Sequence, residues 1–177
     1  MDPLDGTTNY AHGFPVFCVV LAVQRQEETI LGVIYDPLRD ELFTARQGRG
    51  ATLNGRPLRV SNVARLAESL VATGFAYRRA SLKDNNLPEF GRVMPRVQGV
   101  RRAGSAALDL AYLAAGRLDG YWEAHLSPWD WAAGALMVCE AGGTVTDREG
   151  HPWQVGCPNI VASNGRIHQE LLAVLNA

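Results

Sequence analysis

The sequence predicts a layered α+β or α/β sandwich in one domain, residues 1–177. Short apolar, β-branched runs crowd its first third, and helices alternate with strands in the remainder. No internal repeat, low-complexity tract or linker interrupts the chain. Strands grouped first and then alternating with helices are the pattern of sheets covered by helices.

The elements follow in order. Residues 16–24, 29–36 and 41–46 read as antiparallel strands, separated by the polar stretches 24–28 and 37–40. Asn54-Gly55, between 51–53 and 57–60, is a type I′ hairpin signal, because both central residues of that turn need positive φ. Residues 66–74 fit either a helix or a short strand. Residues 81–97 contain Leu82, Leu87, Phe90 and Val93 and predict a helix despite Pro88. Residues 105–115, rich in Ala and Leu and closed by Gly116, predict another. A short strand over 118–123 and a helix over 129–141, ending at Gly142-Gly143, come next. Strands over 144–146 and 160–162 and a helix over 166–175 complete the chain.

Composition narrows the function. With 47% hydrophobic residues, 20% charged and a formal net charge of −1, the chain suits a soluble domain with a substantial core. Arg78-Arg79 and Arg101-Arg102 make no basic stripe, so nucleic-acid binding is not indicated. Cys18, Cys139 and Cys157 lack CxxC or zinc spacing and read as small hydrophobes in a reducing cytosol. The longest apolar run, 16–23, is too short to span a bilayer, and no signal-peptide pattern opens the chain. The expectation is a cytoplasmic protein without a membrane partner.

The chemistry-bearing residues begin at the first turn of sequence. Asp2 and Asp5 flank Pro3, and Gly6-Thr7-Thr8 follow. A rigid turn there holds two carboxylates on one side, while the amides of Gly6 and Thr7 are able to cradle an anion. Two like charges at ~4 Å and an effective dielectric near 20 repel by roughly 4 kcal/mol. A divalent cation reverses that sign, and hard oxygen ligands select Mg²⁺. The same residues also make an ordinary surface turn.

A second constellation is Ser127-Pro128-Trp129-Asp130-Trp131. Ser127 is placed as an N-cap, Pro128 takes the first helical position, and Asp130 falls in the first turn. An acid there gains from the helix dipole alone. Two flanking tryptophans, however, suggest a packed helix start, where a carboxylate needs a partner such as a metal shared with Asp2 and Asp5. Glu123, after Tyr121-Trp122, is either an acceptor for a substrate hydroxyl or a solvated strand-end acid. His12, His125, His151 and His168 form no zinc pattern and read as loop residues; no GxSxG, Walker A or Rossmann fingerprint occurs.

Three ordered motifs, DPLDGTTNYAHGFP, GSAALDLAYLAAGRLDGYWE and PWDWAAGALMVCEAGG, resemble the inositol monophosphatase family, most closely its bacterial inositol-1-monophosphatase branch. The resemblance covers nearly the whole chain. It implies an αβαβα sandwich, a homodimer and Mg²⁺-dependent hydrolysis of a phosphate monoester by activated water. It implies that Asp2, Asp5, Asp130 and the Leu4 carbonyl bind metal, and that Gly6 and Thr7 bind phosphate. It further implies that Thr7 and Asp5 carry the catalytic step, and that Gly104, Ser105, Ala106 and Glu123 contact an inositol ring. Relatives in the family hydrolyse histidinol phosphate, fructose bisphosphate or phosphoadenosine phosphates; the GTTNYAHGFP sequence and Glu123 lean towards inositol.

One departure from the family pattern matters. Family members carry a segment before the DPxDGT motif, with a Gly-Glu-Glu whose first glutamate binds metal, and these 177 residues begin after it. The expectation is a shortened gene model or fragment whose apolar sheet surface and strand edges are exposed, with Met1 not the natural start. A partner chain covering the gap, or a non-catalytic binding or regulatory protein that keeps the pocket, are the alternatives.

Overall fold

The structure, a computed structural model, describes residues 1–154 and 156–177. Its first sheet is built by strict alternation. β2 (Cys18–Arg25) turns Cys18 and Val20 inward and Val19 and Leu21 outward; β3 (Glu28–Asp36) buries Gly32, Ile34 and Asp36; β4 (Glu41–Arg46) buries Phe43 and Ala45. With β1 (Asp2–Asp5), β5 (Ala51–Leu53) and β6 (Arg56–Pro57) they form a six-stranded antiparallel sheet in sequence order. The β5–β6 hairpin turns on Asn54 and Gly55, both at positive φ (48° and 78°), as a type I′ turn requires.

The second sheet has the order β10-β11-β9-β7-β8. β7 (Leu70–Thr73) runs parallel to β8 (Gly99–Arg101) and to β9 (Gly120–Ala124). β11 (Asn159–Ser163) lies antiparallel to β9 and to β10 (Thr144–Thr146). Packed between the sheets are α3 (Ala106–Ala114) and α4 (Pro128–Glu140), whose buried Leu108, Leu110, Leu113 and Met137 share one core with Ile34, Phe43 and Tyr121. The approach is close: a Cβ on Gly32 would fall 2.9 Å from the Cα and carbonyl oxygen of Ala133. The far face of the second sheet buries Val71, Trp122 and Val161 against α2 (Leu87–Val93) and α5 (His168–Leu175).

The layered α+β fold is therefore as expected, with four layers, β-α-β-α, supplied by this chain. The outer face of the first sheet leaves Val19, Leu21, Val23 and Leu42 exposed, and among the described residues no helix of the chain covers it. No helix among the described residues is long and apolar enough to cross a membrane.

Several elements differ from the sequence reading. Asp2 to Asp5 is an edge strand with an irregular register rather than a free turn, and a five-residue helix, α1 (Thr7–Ala11), follows it. Pro3 is tolerated because an edge strand can spare an N–H. Residues 66–74 resolve into a 3-10 turn, Leu66–Glu68, and then β7. The helix expected over 81–97 starts only at Leu87, since Pro88 lacks the N–H of a helix interior and fits the first turn, and it passes into a 3-10 turn at Met94–Arg96. β8 was not foreseen; three residues carry too little periodicity. The strand expected over 57–60 shrinks to Arg56–Pro57. His168 is not a loop residue: it is buried on α5, with Nδ1 2.9 Å from Ser163 Oγ and Nε2 2.9 Å from Thr146 Oγ1.

Candidate metal and phosphate site

The end of β1, the N-terminus of α3, the end of β9 and the N-terminus of α4 meet around a cleft of about 310 Å³. Asp5 leaves β1 opposite Cys18, and its Oδ2 accepts the Ser105 hydroxyl at 2.6 Å and the Ala107 amide at 3.0 Å. Ser105 is also the N-cap of α3, accepting from the Leu108 amide at 3.3 Å. The helix start is thus used to grip a carboxylate from the other sheet, with the dipole favouring the negative charge. Burial raises the Asp5 pKa above the ordinary carboxylate value, against those donors.

Asp2 stays beside it: its Oδ1 accepts the Leu4 amide at 2.9 Å. Gly6 turns the chain at φ 87° into α1, and a Cβ there would sit 2.7 Å from the Val16 carbonyl, so glycine is required by conformation and by space. Thr7 Oγ1 donates to the Leu4 carbonyl at 2.9 Å. Asn9 on α1 donates to the carbonyls of Val16 at 2.7 Å and Ala103 at 2.8 Å, which draws Gly104, Ser105 and Ala106 to the cleft wall.

Asp130 enters from α4. It sits at the third helical position and accepts the Ser127 amide at 2.9 Å, closing the helix start on itself. Burial pushes its pKa up to about 6, with Asp5 and Asp2 adding like-charge repulsion. Asp2, Asp5 and Asp130 each offer one oxygen, and these atoms all lie within 4.8 Å of one another. No ion pair to Lys, Arg or His reaches any of the three among the described residues. Three half-buried carboxylates without a cation are a destabilised set, and hard oxygen donors in this number suit a divalent ion. The flanking tryptophans divide: Trp131 is 2% exposed and packs in the core, whereas Trp129, 51% exposed, stands at the cleft rim.

Glu123 is no solvated strand-end acid. It is buried in the cleft wall, it accepts the Tyr121 hydroxyl, and burial pushes its pKa up to about 7. Every residue the sequence singled out for the site, Asp2, Leu4, Asp5, Gly6, Thr7, Gly104, Ser105, Ala106, Glu123 and Asp130, lines this one cleft.

The model of the inositol monophosphatase family matches residues 1–177. This chain belongs to the inositol monophosphatase family. It is 52% identical over 177 residues to an inositol-1-monophosphatase from Synechocystis, matching 100% of this chain and 62% of that protein. It is 48% identical to the Nus factor SuhB of Pseudomonas aeruginosa, over 99% of this chain and 65% of that protein. An inositol monophosphatase structure from Anabaena superposes with a TM-score of 0.96 at 51% identity, over 98% of this chain and 69% of that one. The chain therefore spans a little under two thirds of the length of those two relatives.

Within this family member the cleft also holds residues that sequence reasoning missed. Asp109, 3% exposed on α3, has its pKa raised well above the ordinary value by burial first and then by the charges of Glu123 and Asp5. Its position inside an Ala- and Leu-rich helix was the available signal: an acid on the buried face of such a helix needs a reason. Among the described residues of the lining Arg102 supplies the guanidinium, and it shares the cleft with five acids, Asp2, Asp5, Asp109, Glu123 and Asp130. Gly74 and Asn86 support the wall behind Glu123, and only the tertiary structure brings them there.

Proposed function

We propose that the chain carries the site of a Mg²⁺-dependent phosphomonoesterase acting on inositol monophosphate or a similar sugar phosphate. The observation that carries this is the convergence of Asp2, Asp5 and Asp130 beside Gly6 and Thr7 in one cleft. Membership of the inositol monophosphatase family supports the phosphatase activity. Asp2, Asp5, Asp130 and the Leu4 carbonyl would hold the metal, which when bound supplies positive charge for the phosphate and lowers the pKa of water.

The residues divide the remaining work. Thr7 Oγ1 donates a hydrogen bond to the Leu4 carbonyl, so its lone pairs are left to accept a hydrogen bond from an incoming water and orient it. The amides of Gly6 and Thr7, at the start of α1, would be offered to the phosphate, since the first amides of a helix have no intrahelical acceptor. Ser105 and the Ala107 amide hold Asp5 in place. Glu123 keeps lone pairs for hydroxyls of the leaving group. Phosphoryl transfer needs positioning and charge stabilisation more than a covalent nucleophile, and among the described residues no hydrogen bond joins His125 to a serine of the cleft; its Nε2 lies 3.0 Å from the Asp84 carbonyl. A reducing, cytoplasmic setting and a homodimer complete the proposal.

The test is Mg²⁺-dependent phosphate release from inositol 1-phosphate, by this chain and by a form extended upstream in its reading frame. Release by either form, lost in Asp130→Asn, supports the phosphatase. The Pseudomonas aeruginosa relative's name, Nus factor SuhB, favours a second reading, a regulatory or binding protein that keeps the pocket. Absence of release from every monoester tried, by both forms, would move the reading there.

A further inference from the structure

Behind the Glu123 carboxylate lies Gly74, the residue that follows β7. A Cβ built on Gly74 would overlap both carboxylate oxygens of Glu123. Gly74 is not among the positive-φ glycines, so space and not backbone conformation makes it a glycine. Its own position is pinned by Asn86. Asn86 Nδ2 donates to the Gly74 carbonyl at 2.7 Å and to Thr73 Oγ1 at 2.8 Å, and Asn86 Oδ1 accepts Trp122 Nε1 at 2.7 Å. Thr73 Oγ1 in turn donates to the Trp122 carbonyl at 2.6 Å, closing a ring across β7 and β9 one residue before Glu123. Asn86 is 5% exposed and holds φ at 67°, a conformation asparagine tolerates better than most residues.

We infer that Gly74 and Asn86 are positioning residues that set where the Glu123 carboxylate stands, and so make the cleft select leaving groups that carry hydroxyls. This rests on the phosphatase reading above. A carboxylate discriminates a hydroxyl only at hydrogen-bond distance, and the interaction is lost within an ångström of displacement. One Glu123 oxygen is already engaged by Tyr121, so the remaining lone pairs work only from the position that the bare face of Gly74 permits. The atoms a new methyl at 74 would strike are the far end of a flexible side chain. Gly74→Ala is therefore relieved by Glu123 turning aside, and the fold is kept while the carboxylate moves.

The experiment compares KM for inositol 1-phosphate and for phenyl phosphate, whose ring bears no hydroxyl, in whichever form of the chain hydrolyses the latter. Gly74→Ala is expected to raise the ratio of the two KM values about tenfold or more, the worth of one charge-assisted hydrogen bond. In a Glu123→Gln background the same substitution is expected to change the ratio less than about twofold, because the two act through one group. Asn86→Asp, which removes the donors to Gly74, is expected to shift the ratio the same way. An unmoved ratio, full additivity with Glu123→Gln, or no preference for inositol 1-phosphate would overturn the inference while leaving the phosphatase standing. No release from either ester by any form would bring down the phosphatase reading and this inference with it.

Discussion

Ser105 donates its hydroxyl to Asp5 at 2.6 Å, joining residues one hundred positions apart and coupling the edge of the first sheet to the start of α3. The same oxygen caps the helix through the Leu108 amide. Ser105→Ala removes both bonds at a buried site and leaves the carboxylate with one fewer donor. We expect a loss of about 2 kcal/mol of stability, read by urea denaturation, together with weaker Mg²⁺ binding. A variant as stable as the parent would show that Asp5 finds its partners elsewhere.

The acids of the cleft make stability depend on pH in a definite direction. Asp130 and Glu123 have their pKa values pushed up to about 6 and about 7, from 3.8 and 4.5, and those of Asp5 and Asp109 are also raised. For an acid raised in the fold, the native state binds more protons than the unfolded chain across that interval. Its contribution is complete below pH ~4 and is lost as pH rises through about 6 for Asp130 and about 7 for Glu123. In chelator, the chain should therefore melt lower at pH 8 than at pH 5.5; the opposite order would show that these carboxyls ionise freely.

Mg²⁺ should cancel that loss. At pH 8 an ion bound by the native state alone would raise the melting temperature, by RT ln(1 + [L]/Kd) in free energy. Asp130→Asn removes one of three converging charges. We expect the metal-free variant to match or exceed the parent in stability at pH 8 and to lose the Mg²⁺-induced rise. Thermal melts with and without Mg²⁺ read both; an undiminished rise would place the ion away from Asp130.

His168 makes the opposite pH contribution in a place unrelated to the cleft. Gly165 N–H donates to Ser163 Oγ, and Thr146 Oγ1 donates to the Asp147 carbonyl at 2.7 Å. A neutral imidazole satisfies both hydroxyls, with Nε2–H donating to Thr146 and Nδ1 accepting from Ser163. Burial lowers its pKa, so its contribution is present above pH ~6.5 and declines as pH falls below that value. His168→Leu should cost roughly 2 kcal/mol by leaving two buried hydroxyls without this partner, measured by denaturation at pH 8. A smaller loss than that of a surface histidine such as His151→Leu would refute the network.

At Gly32 the expectation is a packing failure. The methyl of Gly32→Ala would press on the backbone of α4 at Ala133, where no side chain can move aside. Overpacking of this kind costs about 1–3 kcal/mol. A variant with an unchanged melting temperature would mean that the helix and the sheet are not in this contact.

The sequence by itself determined the order and type of most elements. Apolar, β-branched runs over 16–24, 29–36 and 41–46 marked the strands found at Cys18–Arg25, Glu28–Asp36 and Glu41–Arg46, because each has one face on the core, and Asn54-Gly55 set the hairpin because few other dipeptides take two positive φ values. It also marked Asp2, Asp5, Glu123 and Asp130, since acids beside glycine, proline and tryptophan stand out against an apolar background. Only the tertiary structure decided that Asp109 faces the same cleft, that Glu123 is buried, and that Gly74 and Asn86 stand behind it. Those facts depend on contacts between residues far apart in the chain, and no local pattern encodes them. The same reason explains His168, whose role as a buried link comes from hydroxyls on β10 and β11 and from nothing adjacent to it on α5.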